Sequence, residues 1–344
     1  MKRLNLIPVA SQFMETDECE SIFNPYLKAL SVLEPSFDES VVTALPTVYF
    51  LCSGGTEGLT LKMLNEHDPD SENPVYLIAH PGNNSLPAAL EIMAWVRQQG
   101  RNGKIFFFQS PDDPEPLKQL DQTLNVLDVQ RKMYKKRMGL LGNPSDWLIA
   151  SSQVPSFMRK NWGPFTEFIQ LDELKNLLTK QLPVQQPLAS IIKSVVEPDD
   201  TEMDDAVRVY ECLKTIIDEH ELHAITIRCF DLVTDLKTTG CYALARLNDE
   251  GIVAGCEGDL PSTLTMLLIR ELLDQPSWMA NPATVDTKSN SILLAHCTAP
   301  TKMIDDISIR SHFESGLGVA IQGHLHRSPV TLLRVGGAEL NKLW

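Results

Sequence analysis

Gly251-Ile-Val-Ala-Gly-Cys-Glu-Gly-Asp-Leu-Pro-Ser262 begins as an apolar run and stops on two carboxylates, Glu257 and Asp259. Thr263 to Leu273 follows with Leu264, Leu267, Leu268 and Leu272 at helical spacing, so one stretch spells out strand, acidic loop and helix. That order is the repeating unit of an open α/β sheet, in which ligands bind beyond the carboxyl ends of the strands. Side chains two apart share one face of extended chain, which aims both acids at one cleft. Asp259 has a second reading, as a cap of the helix whose first turn carries Pro261. Glu257 precedes the cap and has no such duty.

The same alternation runs N-terminally. Met1 to Ala10, Thr47-Val-Tyr-Phe-Leu-Cys52, Val75-Tyr-Leu-Ile-Ala-His80 and Lys104-Ile-Phe-Phe-Phe108 read as strands, with helices from about Leu59 to Leu64 and up to Gln99. The Ser53-Gly-Gly-Thr-Glu-Gly58 loop lacks the Lys-Ser/Thr of a P-loop and the Gly-x-Gly-x-x-Gly order, so it reads as a tight turn and no nucleotide is expected. His80, at a strand tip before Pro81-Gly82-Asn83-Asn84, can reach a substrate hydroxyl or be satisfied by local backbone. A helix over Leu117 to Lys136, a strand from Arg137, helices at Leu171 to Lys180 and Met203 to His220, and a strand at Ala224 to Arg228 make a second α/β region. After Asn290 short strands take over at Ser291 to Ala295, Gly318 to Gly323 and Val330 to Val335, the last two reading as an antiparallel pair. His324 and His326 lie in their connection with no acid at ligand spacing, and read as an exposed pair. The expected architecture is α/β: two doubly wound (Rossmann-like) domains, residues 1–140 and 141–276, followed by a β-rich domain over 277–344 that stops short at Trp344.

A formal charge of -15 and a pI near 5.0 argue against nucleic acid, and Arg131 to Arg137 reads as a solvated helix face. No apolar stretch reaches the ~20 residues of a membrane span, and the N-terminus carries no signal peptide. Seven scattered cysteines without a Cys-x-x-Cys pair fit reduced thiols in the cytoplasm. Cys256 and Cys297 flank the acidic region and read as small buried hydrophobes, because no basic partner is near them in sequence.

Cys256-Glu-Gly-Asp-Leu260, Trp278-Met-Ala-Asn281 and Leu294-Ala-His-Cys297, in that order, resemble the active-site region of the L-fucose and L-arabinose isomerases, above all the L-fucose isomerase-like proteins. The resemblance covers roughly residues 225–344. It implies conversion of a fucose- or arabinose-like aldose into its ketose through an enediol, with a divalent metal, Mn2+ or alternatively Mg2+. It further implies Glu257, Asn281 and His296 as the metal set, Glu257 and Asp259 as the catalytic acids, and Asn281 and His80 as substrate contacts. A homo-oligomer acting on a monosaccharide is implied as well. Asn281 stands where the family carries an acid, and a further C-terminal His of the family does not occur before Trp344. Those two departures keep open a second expectation, a sugar-binding or regulatory relative with an impaired metal site.

Overall fold

The computed structural model describes residues 2–37, 45–70, 73–152, 155–180 and 192–344, which divide into two compact units, Met1–Asp128 and Val129–Trp344. In the first unit β1 (Leu4–Val9), β2 (Pro35–Ser36), β3 (Thr47–Leu51), β4 (Val75–Ala79) and β5 (Gly103–Phe107) form a parallel sheet in the order β2-β1-β3-β4-β5. Burial on both faces explains why the strands read as continuous apolar runs rather than alternating ones. Leu4, Leu6, Val48, Phe50 and Ile78 pack with α1 (Thr16–Leu30) and α4 (Pro114–Met133). Their neighbours Ile7, Val9, Tyr49, Leu51 and Leu77 point the other way, against α2 (Glu57–His67) and α3 (Ser85–Gln98).

The second unit repeats the winding. β6 (Arg137–Leu141), β7 (Phe165–Ile169), β9 (Ala224–Ile227) and β10 (Val253–Gly255) form a parallel sheet in the order β10-β9-β6-β7, so β6 and β9 sit side by side as β1 and β3 do. One face packs on α6 (Leu171–Thr179), α7 (Asp200–Glu219) and α9 (Cys241–Asp249) through Leu174, Leu213 and Leu244. The other packs on α5 (Pro155–Trp162) and α10 (Leu260–Leu273) through Met158, Leu264 and Leu267. A further helix, α8 (Phe230–Leu236), follows β9. The expected α/β class with parallel sheets flanked by helices is therefore the observed one.

The strands near the C-terminus differ from expectation. β13 (Ile304–Arg310) pairs antiparallel with β14 (Ala320–Leu325) and parallel with the short β8 (Ser194–Val195). β14 was expected to pair with Val330 to Val335. Instead β15 (Val335–Gly336) pairs with β16 (Lys342–Leu343). The reason is burial: Ile304, Ile307 and Ile309 of β13 reach the core of the second sheet, whereas Val330 and Leu332 stay exposed. β13 escapes a period-two reading because Asp306 adopts positive φ and the register shifts between Asp305 and Ser308. β11 (Asn281–Asp286) and β12 (Ser291–Ala295) form a separate hairpin.

Candidate functional site

The C-terminal ends of β6, β9 and β10 are held together by hydrogen bonds to backbone carbonyls. Ser145 N–H donates to Glu257 C=O (2.8 Å), Gly258 N–H to Ile227 C=O (2.9 Å), and Arg228 Nη1 to Pro144 C=O (2.7 Å). Glu257 and Gly258 both take positive φ, 61° and 70°. For Glu this is a costly conformation, held here by the flanking bonds. A Cβ at Gly258 would meet Pro144 Cα at 2.8 Å and Asn143 O at 2.9 Å, so glycine is what lets the acidic loop lie on the loop after β6.

This turn corrects the expectation that the two acids share a face. The chain is not extended at 257–258, and the carboxylates part. Asp259 is the N-cap of α10: Oδ1 accepts from Ser262 N–H (2.8 Å), Oδ2 accepts from the Ser262 hydroxyl (2.8 Å), and Arg334 Nη1 lies 3.5 Å away. It is buried and does not line the neighbouring cavity. Glu257 is half-buried, and Trp147 Nε1–H donates to its Oε2 (2.8 Å).

A cavity of about 900 Å³ opens at this point, and Glu257, Asn281 and His296 all line it. Three elements bring them together: the loop after β10, the start of β11, and the end of β12. The Trp278–Asn281 segment is tied to the acidic loop where Cys256 N–H meets Met279 Sδ at 3.1 Å. His296 Nδ1 pairs with the Thr298 hydroxyl at 2.9 Å, which orients the ring and leaves Nε2 for another partner. Arg310, also on the wall, is bonded to Glu197.

Sequence reasoning missed the far wall. His312, just past β13, lines the cavity, with its Nδ1 3.1 Å from the Ser315 hydroxyl and its ring edge-on to Phe230 (5.5 Å, 83°). Phe230 stands edge-on to Trp147 in turn (4.9 Å, 84°). Cys241, Cys297 and His312 form a group that can hold a metal ion, their ligand atoms all within 4.8 Å of one another. Cys297 is thus not simply a buried hydrophobe. The Cys241 thiol hydrogen bond (3.3 Å) pulls its pKa down to about 3, with His296 and His312 adding to the effect. The hydrogen bond with Cys297 in turn raises His312, and the same kind of bond, with burial next, pushes Cys241 up. One basic partner, His296, is the adjacent residue in sequence; the other, His312, is fifteen residues away and is revealed only by tertiary contact. Cys256 faces Cys229 at 3.0 Å.

His324 and His326 also gain a neighbour that the sequence hid. Asp305 sits opposite His324 across the strands and 3.4 Å from His326 Nε2, brought there by the β13–β14 pairing.

His80 lies in the first unit and is buried. Its Nδ1 accepts from Gly82 N–H (3.1 Å), so the remaining nitrogen, Nε2, carries the proton toward Cys52 C=O (3.3 Å). The ring stacks on Phe50 at 5.7 Å, and burial lowers its pKa. Both ring nitrogens are engaged by backbone. Among the described residues no helix is long and apolar enough to cross a membrane.

No family model matches the chain. Curated relatives do. The chain is 24% identical over 241 residues to sulfoquinovose isomerase of Priestia aryabhattai, covering 67% of this chain and 54% of the relative. It is 23% identical over 223 residues to sulfoquinovose isomerase of a Clostridium species (62% and 49%), and 22% identical over 242 residues to that of Alkalicoccus urumqiensis (67% and 54%). The chain spans about half the length of the curated relatives it matches. These relatives are isomerases of a sugar, which supports the sugar-isomerase part of the resemblance and does not single out L-fucose.

Proposed function

We propose that this chain is an aldose–ketose isomerase of carbohydrate metabolism, with the cavity beyond β10 as its monosaccharide site. The observation that carries the reading is the convergence of Glu257, Asn281 and His296, from three separate elements, on one cavity at the carboxyl end of a parallel sheet. Similarity to sugar isomerases supports it independently.

Isomerisation moves a proton between C1 and C2 and another between the two oxygens. Glu257 takes the carbon-bound proton and returns it to the neighbouring carbon of the enediol. The Trp147 indole bond on Oε2 orients that carboxylate, so Oε1 faces the substrate. Asn281 donates its amide to a substrate hydroxyl, and His296, oriented through Thr298, keeps Nε2 free to hold the cation, which leaves the oxygen-bound proton to pass between the two neighbouring substrate oxygens. One carboxylate oxygen, one amide oxygen and one imidazole make a donor set that suits Mn2+ or Mg2+, with one negative charge fewer than a two-acid set. Such a cation, when bound, supplies polarisation of the substrate carbonyl. Asp259 is kept as a cap that positions α10 and the acidic loop.

The reading extends to a cytoplasmic homo-oligomer in which segment 277–344 completes the cavity wall of the 141–276 region. The test is ketose formation on a panel of aldoses, with Mn2+ and after chelation, for the wild type and Glu257→Gln. Turnover is expected only with an intact Glu257 and added metal. Undiminished turnover in the variant would refute the assignment.

A further inference from the structure

We infer that Cys241, Cys297 and His312 form a binding site for a thiophilic divalent cation of the Zn2+ type, adjoining the oxygen-rich Glu257, Asn281 and His296 set at the same cavity but built from different donors.

The three donors come from three rigid places. Cys241 is the first residue of α9, Cys297 follows β12, and His312 follows β13. Each backbone is fixed by its own contacts. Thr239 exchanges hydrogen bonds with Val319 through its hydroxyl (2.6 and 2.9 Å), anchoring the chain two residues before Cys241. Ile321 N–H donates to Cys297 C=O (3.1 Å). His312 is locked in a turn by its N–H to Leu317 C=O (3.1 Å) and by Gly316 N–H to its own C=O (2.8 Å). A site assembled on fixed backbone holds its geometry without the ion.

The chemistry is specific. Two sulfurs and an imidazole select soft or borderline cations over Mn2+ and Mg2+. Tetrahedral Zn2+ with Zn–S near 2.3 Å places its sulfurs about 3.8 Å apart. Cys241 and Cys297 stand at 3.3 Å, so a small rotation of one side chain reaches that separation. His312 presents Nε2 to the thiols because Nδ1 is turned to Ser315, the outer-partner arrangement that sets which nitrogen ligates. Cys241 is 2% exposed and His312 8%. Cys297 and His312 line the cavity whereas Cys241 does not, so the three ligands leave the fourth position on the cavity side. Three protein ligands with an open fourth position is the arrangement of zinc sites that exchange a small ligand.

The experiment is titration of the reduced, metal-free full chain with Co2+, read by its visible absorption and by sulfur-to-cobalt charge transfer in the near ultraviolet. The expected result is one Co2+ per chain with the thiolate band, displaced by Zn2+. Cys241→Ser, Cys297→Ser and His312→Asn should each weaken binding by more than about 100-fold, the upper end of what loss of an outer partner costs, and Ser315→Ala by about 10-fold. Cys212→Ser and Glu257→Gln should leave the band unchanged. Circular dichroism of each variant establishes folding, and if one is unfolded the remaining ligand variants and the wild-type spectrum decide. Absence of the thiolate band in the wild type, its survival in both folded cysteine variants, or its loss in Cys212→Ser or Glu257→Gln would overturn the site. The isomerase reading fails by a different readout, turnover in Glu257→Gln, so the two are distinguishable.

Discussion

The two parallel sheets share a strand order but not a use for it. In the first, the pair β1 and β3 marks the place where the winding reverses, and the loops there are closed by their own bonds. Ser11 N–H donates to the Ser53 hydroxyl (3.1 Å), Gly54 N–H to Asn83 C=O (2.7 Å), and the neighbouring His80 spends both ring nitrogens on backbone. In the second, the loops past β9 and β10, on one side of the matching place between β6 and β9, border a cavity with a half-buried glutamate in a strained conformation on its wall. Winding creates a place for a ligand; only loops that leave polar groups unspent turn it into a site.

The largest expected effect separates those two places. Glu257→Gln should lower turnover by roughly 10²- to 10⁴-fold, the range for losing a general base, with its melting temperature little changed. His80→Leu should do the reverse, leaving turnover near the wild type while costing about 1–3 kcal/mol for the backbone groups it strands. Steady-state rates alongside denaturant midpoints check both, and a rate collapse in the His80 variant would move the substrate site toward the first unit.

Next in size is the capping acid. Asp259→Ala should destabilise by about 1 kcal/mol, and Asp259→Ser should recover most of that because a hydroxyl also accepts from the third backbone N–H. Lost activity in a stable Asp259→Ser variant would place this carboxylate in the chemistry.

Smallest is a pH effect away from the cavity. His220 lies between Glu167 (2.7 Å) and Glu173 (2.9 Å), and the Glu167 bond leads in raising its pKa. A raised folded pKa means the contribution is fully present below the unfolded value of about 6.5 and is lost as pH climbs through the folded value. Chemical denaturation from pH 5 to 9 should therefore show stability declining above about 6.5, a decline that His220→Gln flattens.

Much of the fold was legible because buried parallel strands announce themselves as apolar runs, as Thr47–Leu51 and Val75–Ala79 do. The helix α9 was not, since Cys241 to Leu247 is buried nearly all round and shows no polar face to set a period. β13 was hidden by its bulge at Asp306, and with it went the pairing that brings Asp305 beside the histidines. For the site, Glu257 stood out as an acid without local duty, and Asn281 and His296 followed from family resemblance alone. Trp147, Phe230 and His312 carry no local signal: each reaches the cavity region through loops separated by about eighty residues of chain. Cys241 and Cys297 were scattered in sequence and adjacent in space for the same reason.

The most direct measurement of the central claim is solvent exchange during turnover. An aldose panel incubated with the protein and Mn2+ in D2O, followed by NMR, reads both ketose formation and deuterium at the carbon that receives the proton. A carboxylate exposed to solvent exchanges part of the proton it holds before returning it, so a fraction of the ketose carries deuterium. The account predicts ketose carrying deuterium with the wild type and with the His80 variant, and none with Glu257→Gln. Ketose formed by Glu257→Gln at the wild-type rate, or no ketose from any aldose with the metal-loaded wild type, would contradict it.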